Sequence, residues 1–287
     1  MEFSGKNLIN ETLTNIEKKV ELSDAFLMRY VMRAFMAGLI IVFGYCVYFM
    51  ILHYFAKFEL DINGVAGVVK TPGLAKMLAS AFFPLCLVCI YFSKSELLTS
   101  NMMMFSVAKY FKQVTFTKFL KILLLCFLGN VLGGIIMGAI FAGSSIMTPF
   151  YQDIASAVST KLTYVTSGNI WDLVVRACLC NVAINLVMVM VYSKNIKDDI
   201  AKIIVMFFGV FAFCFLGLEH SVANACLFVM CGFYEMFHQV KEPVFELMPA
   251  MINVFWAIIG NFIGGGIIIG VLYSYLNDHR KITDIKE

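Results

Sequence analysis

Two stretches of this chain, Ile122 to Gln152 and Leu247 to Asn277, contain no charged side chain. Each is long enough to cross the ~30 Å hydrocarbon layer of a bilayer as a helix. The rest of the chain has the same character. Hydrophobic residues make up 61% of it and charged residues 14%, and its mean hydropathy is +0.84. An all-α integral membrane protein is the class this pattern allows. Residues 1–29 are polar and of mixed charge, and the first apolar run, Ala34 to Ala56, is a full span rather than a short leader core. No cleavable signal is therefore expected.

Six spans are expected, at about 31–56, 75–109, 118–143, 170–193, 201–233 and 249–275. The second and fifth are interrupted. Lys94 and Glu96 split one, Glu219 and His220 the other, and each half is too short to cross comfortably. Two half-helices meeting near the midplane, with irregular backbone lining a cavity, would satisfy the freed peptide groups. Lysines and arginines fall fourteen on one side of the spans and five on the other. That bias puts both termini in the cytoplasm, in a plasma membrane of the bacterial type.

The interrupted segments belong to a repeat. GNVLGG at 129–134 answers GNFIGGG at 260–266, Glu96 and Asn101 are spaced like Glu219 and Asn224, and the run from Arg33 answers the run from Arg176. Three spans per copy is an odd number, so the copies, about 30–143 and 169–276, are expected upside down to each other. Residues 30–276 then form the transport domain and 277–287 a cytoplasmic tail. The segment 1–29 is either an amphipathic helix on the membrane face or a solvated lead-in.

His220 is the only histidine well inside a span, and an ionisable group there is costly enough to imply function. It could donate a hydrogen bond to a small anion or exchange a proton with it. Thr99 sits in the corresponding break and could face it. Glu96 and Glu219 are expected to cap the backbone N–H groups that the breaks expose, and Lys94 to pair with Glu96 or bias the site towards anions. Asn130, Asn181 and Asn261 are expected, with Asn224, to brace the broken helices. Phe83, Leu87, Leu97 and Phe213 could form apolar collars around this polar centre. The nine cysteines all lie in apolar segments and read as buried small hydrophobes, and Cys86-x-x-Cys89 has no second pair with which to hold zinc. No metal, cofactor, nucleic acid or enzymatic chemistry is expected.

The segments GLEHSVAN (217–224), ELLTSN (96–101), RACLCN (176–181) and GNFIGGG (260–266) resemble the signature segments of the formate/nitrite transporter family. The resemblance implies six spans per protomer in an aquaporin-like fold, a homopentamer with one pathway per subunit, and small monovalent weak-acid anions as cargo: formate, nitrite, hydrosulfide, acetate or lactate. It carries the family's central histidine onto His220 and its threonine onto Thr99. It puts constriction positions on Leu87 and Leu97 towards one side and on Phe83 and Phe213 towards the other. It also assigns Lys161 to a loop before the fourth span, as the lysine that draws anions to the vestibule. The expected function is a channel or transporter for such anions, most simply formate. A neutral-solute channel is the rival from another class, although its paired Asn-Pro-Ala motifs are absent.

Overall fold

The computed structural model describes residues 5–62, 65–192 and 196–278; the side chains of 5–8 and 58–68 are not among those described. The chain begins with α1 (Gly5–Ala25) and α2 (Leu27–Phe55), followed by a hairpin of β1 (Lys57–Ile62) and β2 (Val65–Lys70), antiparallel with Lys57 opposite Lys70. Helices α3 (Pro72–Phe82), α4 (Leu85–Phe92), α5 (Leu98–Tyr110) and α6 (Phe116–Ala142) complete the first half. A 3-10 turn (Ser145–Phe150) and α7 (Tyr151–Thr166) lead to α8 (Ile170–Tyr192), α9 (Asp199–Leu216) and α10 (Ser221–Phe237). Last come α11 (Leu247–Asn261), a π-helical stretch (Phe262–Val271) and α12 (Leu272–Leu276).

Six of these helical segments are long and apolar enough to cross a membrane, and the short apolar α10 completes the fifth passage. The protein is a multi-pass integral membrane protein. Its outer faces agree: on α6, Leu120, Leu124, Leu128, Leu132, Ile136 and Ile140 recur every fourth residue and are each about half exposed. The core lies between the helices, and α5 is buried from Leu98 to Ala108. The expectation that the cysteines are buried holds for six of the nine; Cys178 and Cys214 are half-buried, and Cys89 faces outward on α4.

Glycine sets the closest helix contacts. A methyl group at Gly133 on α6 would lie 1.9 Å from the Phe35 carbonyl of α2, and one at Gly264 would lie 2.1 Å from the Cys178 carbonyl of α8. Without side chains there, the backbones of α2 and α6, and of α8 and the last span, meet directly.

Both breaks follow one turn design. At the end of α9, Gly217 takes a left-handed φ of +67°; its N–H donates to Cys214 O, and the N–H of Leu218 to Phe213 O. This is the usual glycine ending of a helix. At the end of α4, Lys94 takes φ +57°, its N–H donates to Tyr91 O, and the N–H of Ser95 to Ile90 O. The geometry repeats, but with a lysine where glycine would be free of strain, at a cost of about 1–2 kcal/mol.

The segment before the fourth span, expected as a loop, contains the helix α7. Its buried residues Ile154, Ala155, Val158 and Leu162 form one face. Helix α1 likewise buries Ile9, Thr12, Ile16 and Ser23 along one side and packs on α2 and α5. Lys118 on α6 pairs with Asp24 near its end.

Candidate functional site

Two asparagines hold the breaks open. Asn130 on α6 donates through Nδ2 to Ala34 O and to Glu96 O, both at 2.8 Å, and its Oδ1 accepts the Leu98 N–H at 3.0 Å. Asn261, ending α11, donates to Ala177 O at 2.8 Å and Glu219 O at 2.9 Å, and accepts the Ser221 N–H at 2.8 Å. Each amide thus ties a half-helix start to a neighbouring span and satisfies groups that have no helical partner. Asn181 adds a bond to Asn261 O at 2.7 Å.

The glutamates do something other than the expected capping. Glu96 accepts from Lys19 Nζ at 2.5 Å and from Asn101 Nδ2 at 3.0 Å. Glu219 accepts from Lys161 Nζ at 2.9 Å through both oxygens and from Asn224 Nδ2 at 2.6 Å. A full positive charge is a stronger partner for a buried carboxylate than a peptide N–H, so the asparagines take the caps and the carboxylates take the lysines. Lys94 does not pair with Glu96; it is exposed, and Lys19 from α1 fills that role. Asn253 links the second set, accepting from Asn224 at 2.9 Å and donating to Lys161 O at 2.9 Å. Lys19, Asn253 and Asn185, whose Nδ2 donates to Thr99 O at 3.3 Å, were not singled out in the sequence. Their partners lie tens of residues away, and no local pattern announces them.

At the centre, Thr99 Oγ1 and His220 Nε2 are 2.9 Å apart. The other ring nitrogen, Nδ1, accepts the Ala223 N–H at 3.1 Å and so caps α10. The hydrogen of a neutral ring therefore belongs on Nε2, donated to Thr99. Thr99 is fully buried behind the ring and His220 is 4% exposed.

Three cavities surround this pair. A central chamber of about 30 Å³ is lined by hydrocarbon side chains, Cys86 and His220. A vestibule of about 420 Å³ lies on the α1 side and shares Leu87, Ile90 and Leu97 with the chamber. A second of about 150 Å³, on the α7 side, shares Phe83 and Phe213. Those two rings stand edge to face with centroids 6.3 Å apart, and Phe213 also lies over His220 at 5.9 Å. Lys161 lines the α7-side vestibule from the helix, and Lys19 lines the other. No group of three or more metal-ligating side chains occurs among the described residues.

A family model described as formate/nitrite transporter matches residues 6–275. The chain is 27% identical over 231 residues to a probable formate transporter from Methanothermobacter thermautotrophicus, covering 76% of this chain and 81% of that one. A solved structure described as an FNT family ion channel superposes with a TM-score of 0.78 at 23% identity, over 94% of this chain and 98% of that one. Another, described as a pentameric formate channel with formate bound, gives a TM-score of 0.68 at 17% identity, over 87% and 96%. At these identities the two structures speak for the fold.

Proposed function

Because the chain belongs to the formate/nitrite transporter family, we propose that it conducts small monovalent anions of weak acids, with formate as the simplest cargo. The observation that carries this reading is the His220–Thr99 pair, held at a 30 Å³ chamber between apolar collars, with a lysine-bearing vestibule on either side. The basic side chains that line the two vestibules draw anions in. At the collars formed by Leu87 with Leu97 and by Phe83 with Phe213, a bare carboxylate loses its water. That transfer costs of order tens of kcal/mol in an idealised apolar medium, so the cargo is driven to its neutral form instead. In the chamber it takes over from Thr99 the Nε2–H of His220, whose ring is on the chamber wall. Because Nδ1 is committed to Ala223, His220 serves as a fixed donor and the cargo's proton comes from vestibule water.

We further infer a homopentamer with one pathway per subunit, supported by the pentameric description of the similar channel. The halves 30–143 and 169–276 are inverted to each other, a reading supported by the matching asparagine and lysine–glutamate sets. The charge bias supports cytoplasmic termini, with residues 1–29 and 277–287 on that face. The test is flux of formate, nitrite, hydrosulfide and acetate into proteoliposomes at several pH values. Rapid uptake that rises as pH falls is expected, and the fastest ion names the cargo. Absence of uptake for all four at every pH would return the neutral-solute channel.

A further inference from the structure

The two vestibules differ more than passage of a monovalent anion requires. In the smaller one Lys161 is the only cation among the described lining residues, and Glu219 already holds it. The larger is lined by Lys18, Lys19, Arg33, Lys94 and Lys202. Its lining carboxylates, Glu96 and Asp199, are both matched: Lys19 Nζ lies 2.5 Å from Glu96 and Lys202 Nζ 2.7 Å from Asp199. Lys18, Arg33 and Lys94 therefore face one cavity with no ion pair among the described residues.

Lys94 reaches this cavity from the first break. It occupies the left-handed turn position that Gly217 fills at the other break, with the same pair of backbone hydrogen bonds. Glycine relieves the strain of that position and lysine does not. The turn does not need this side chain, and the side chain lies at the vestibule. Lys112 takes the same turn at the end of α5, with its N–H on Lys109 O and the Gln113 N–H on Ala108 O, so the conformation by itself assigns no role. What marks Lys94 is that its ammonium lines the vestibule with no ion pair among the described residues.

We propose that the α1-side vestibule binds a small multivalent oxyanion, a molecule bearing two or more carboxylate or phosphate groups, which plugs the pathway from that side. Attraction to three unmatched cations scales with ligand charge, so a di- or trianion gains two or three times what formate gains. The vestibule of about 420 Å³ accommodates such a molecule. The 30 Å³ chamber beyond Leu87 and Leu97 does not, so the ligand occupies the mouth without crossing.

The test uses the full chain in nanodiscs of uncharged lipid, titrated calorimetrically with inorganic pyrophosphate and, separately, with citrate at constant ionic strength. Saturable binding near one ligand per chain is expected for at least one probe, and which one binds separates phosphate from carboxylate sources. Lys18→Ser and Lys94→Gly should each weaken it by about tenfold, while Lys94→Arg retains it. Lys94→Gly relieves the turn and should melt no lower than the parent, so its loss of affinity cannot be assigned to misfolding. The same probe added on the α1 side should slow formate flux, and chloride at equal ionic strength should not. Absence of saturable binding up to about 5 mM, or equal affinity in Lys94→Gly and the parent, would overturn the proposal whether or not formate is the cargo.

Discussion

At the residue scale, the site rests on which atom of each side chain is already committed. His220 spends Nδ1 on the Ala223 N–H and presents Nε2–H to Thr99. Replacing Thr99 by valine keeps the shape but removes the hydroxyl, leaving one buried donor without an acceptor at a cost of about 1–3 kcal/mol. Formate flux by stopped-flow should fall about tenfold, with assembly intact; an unchanged rate would sink the role given to this pair. The Lys161–Glu219 pair makes a second case. Breaking a buried pair from one side costs about 3–5 kcal/mol, and with Lys161 16% exposed the lower end applies. Lys161→Gln should lower both melting temperature and flux, and adding Glu219→Gln should recover part of the melting temperature. Simple additivity of the two changes would show that the residues are not coupled. His220 and Thr99 were legible in the sequence because polar groups inside apolar runs are conspicuous. Asn253 was not, because an asparagine amid apolar residues acquires its meaning only from Asn224 and Lys161, far along the chain.

At the scale of elements, the broken helices could be read from their interruptions, but the hardware of the breaks could not. Sequence proximity suggested the glutamates as caps. The structure gives that work to Asn130 and Asn261, which approach from other spans, because each glutamate has a lysine to satisfy first. Leucine at position 261 would match the size of asparagine and forfeit three hydrogen bonds. The expected result is a clear drop in melting temperature and loss of the channel's assembled form on size-exclusion chromatography; Asn181→Leu, which loses fewer, should be milder. The hairpin at 57–70 and helix α7 were also missed. Both lie between spans, where the membrane no longer dictates the pattern and a polar helix resembles a loop. Helix α1 was left open between two readings, because an amphipathic stripe alone does not say what it packs against.

For the whole molecule, α1 ties the N-terminal segment to the first break through Lys19 and Glu96. Burial pulls the Lys19 ammonium down, but attraction and hydrogen bonding from Glu96 more than offset this and leave its pKa above the ordinary lysine value. The contribution of this pair is thus complete below the unfolded lysine value of about 10.4 and is lost as pH rises through the higher folded one. The protection factor of the α1 amides, with the base-catalysed rise of intrinsic exchange divided out, should hold through neutral pH and fall only above about pH 10.5; a fall in protection at neutral pH would contradict the pairing. Native mass spectrometry should find particles of five 32.2 kDa chains, and a monomer or trimer would remove the pentamer. The line of three cavities has a further consequence. In the proposed pathway they act as resistances in series, and the smallest dominates once the wide ones are filled. Changes in the vestibules should therefore shift the half-saturating concentration, and changes at the chamber should shift the ceiling, so a dose curve alone tells which compartment a substitution has touched.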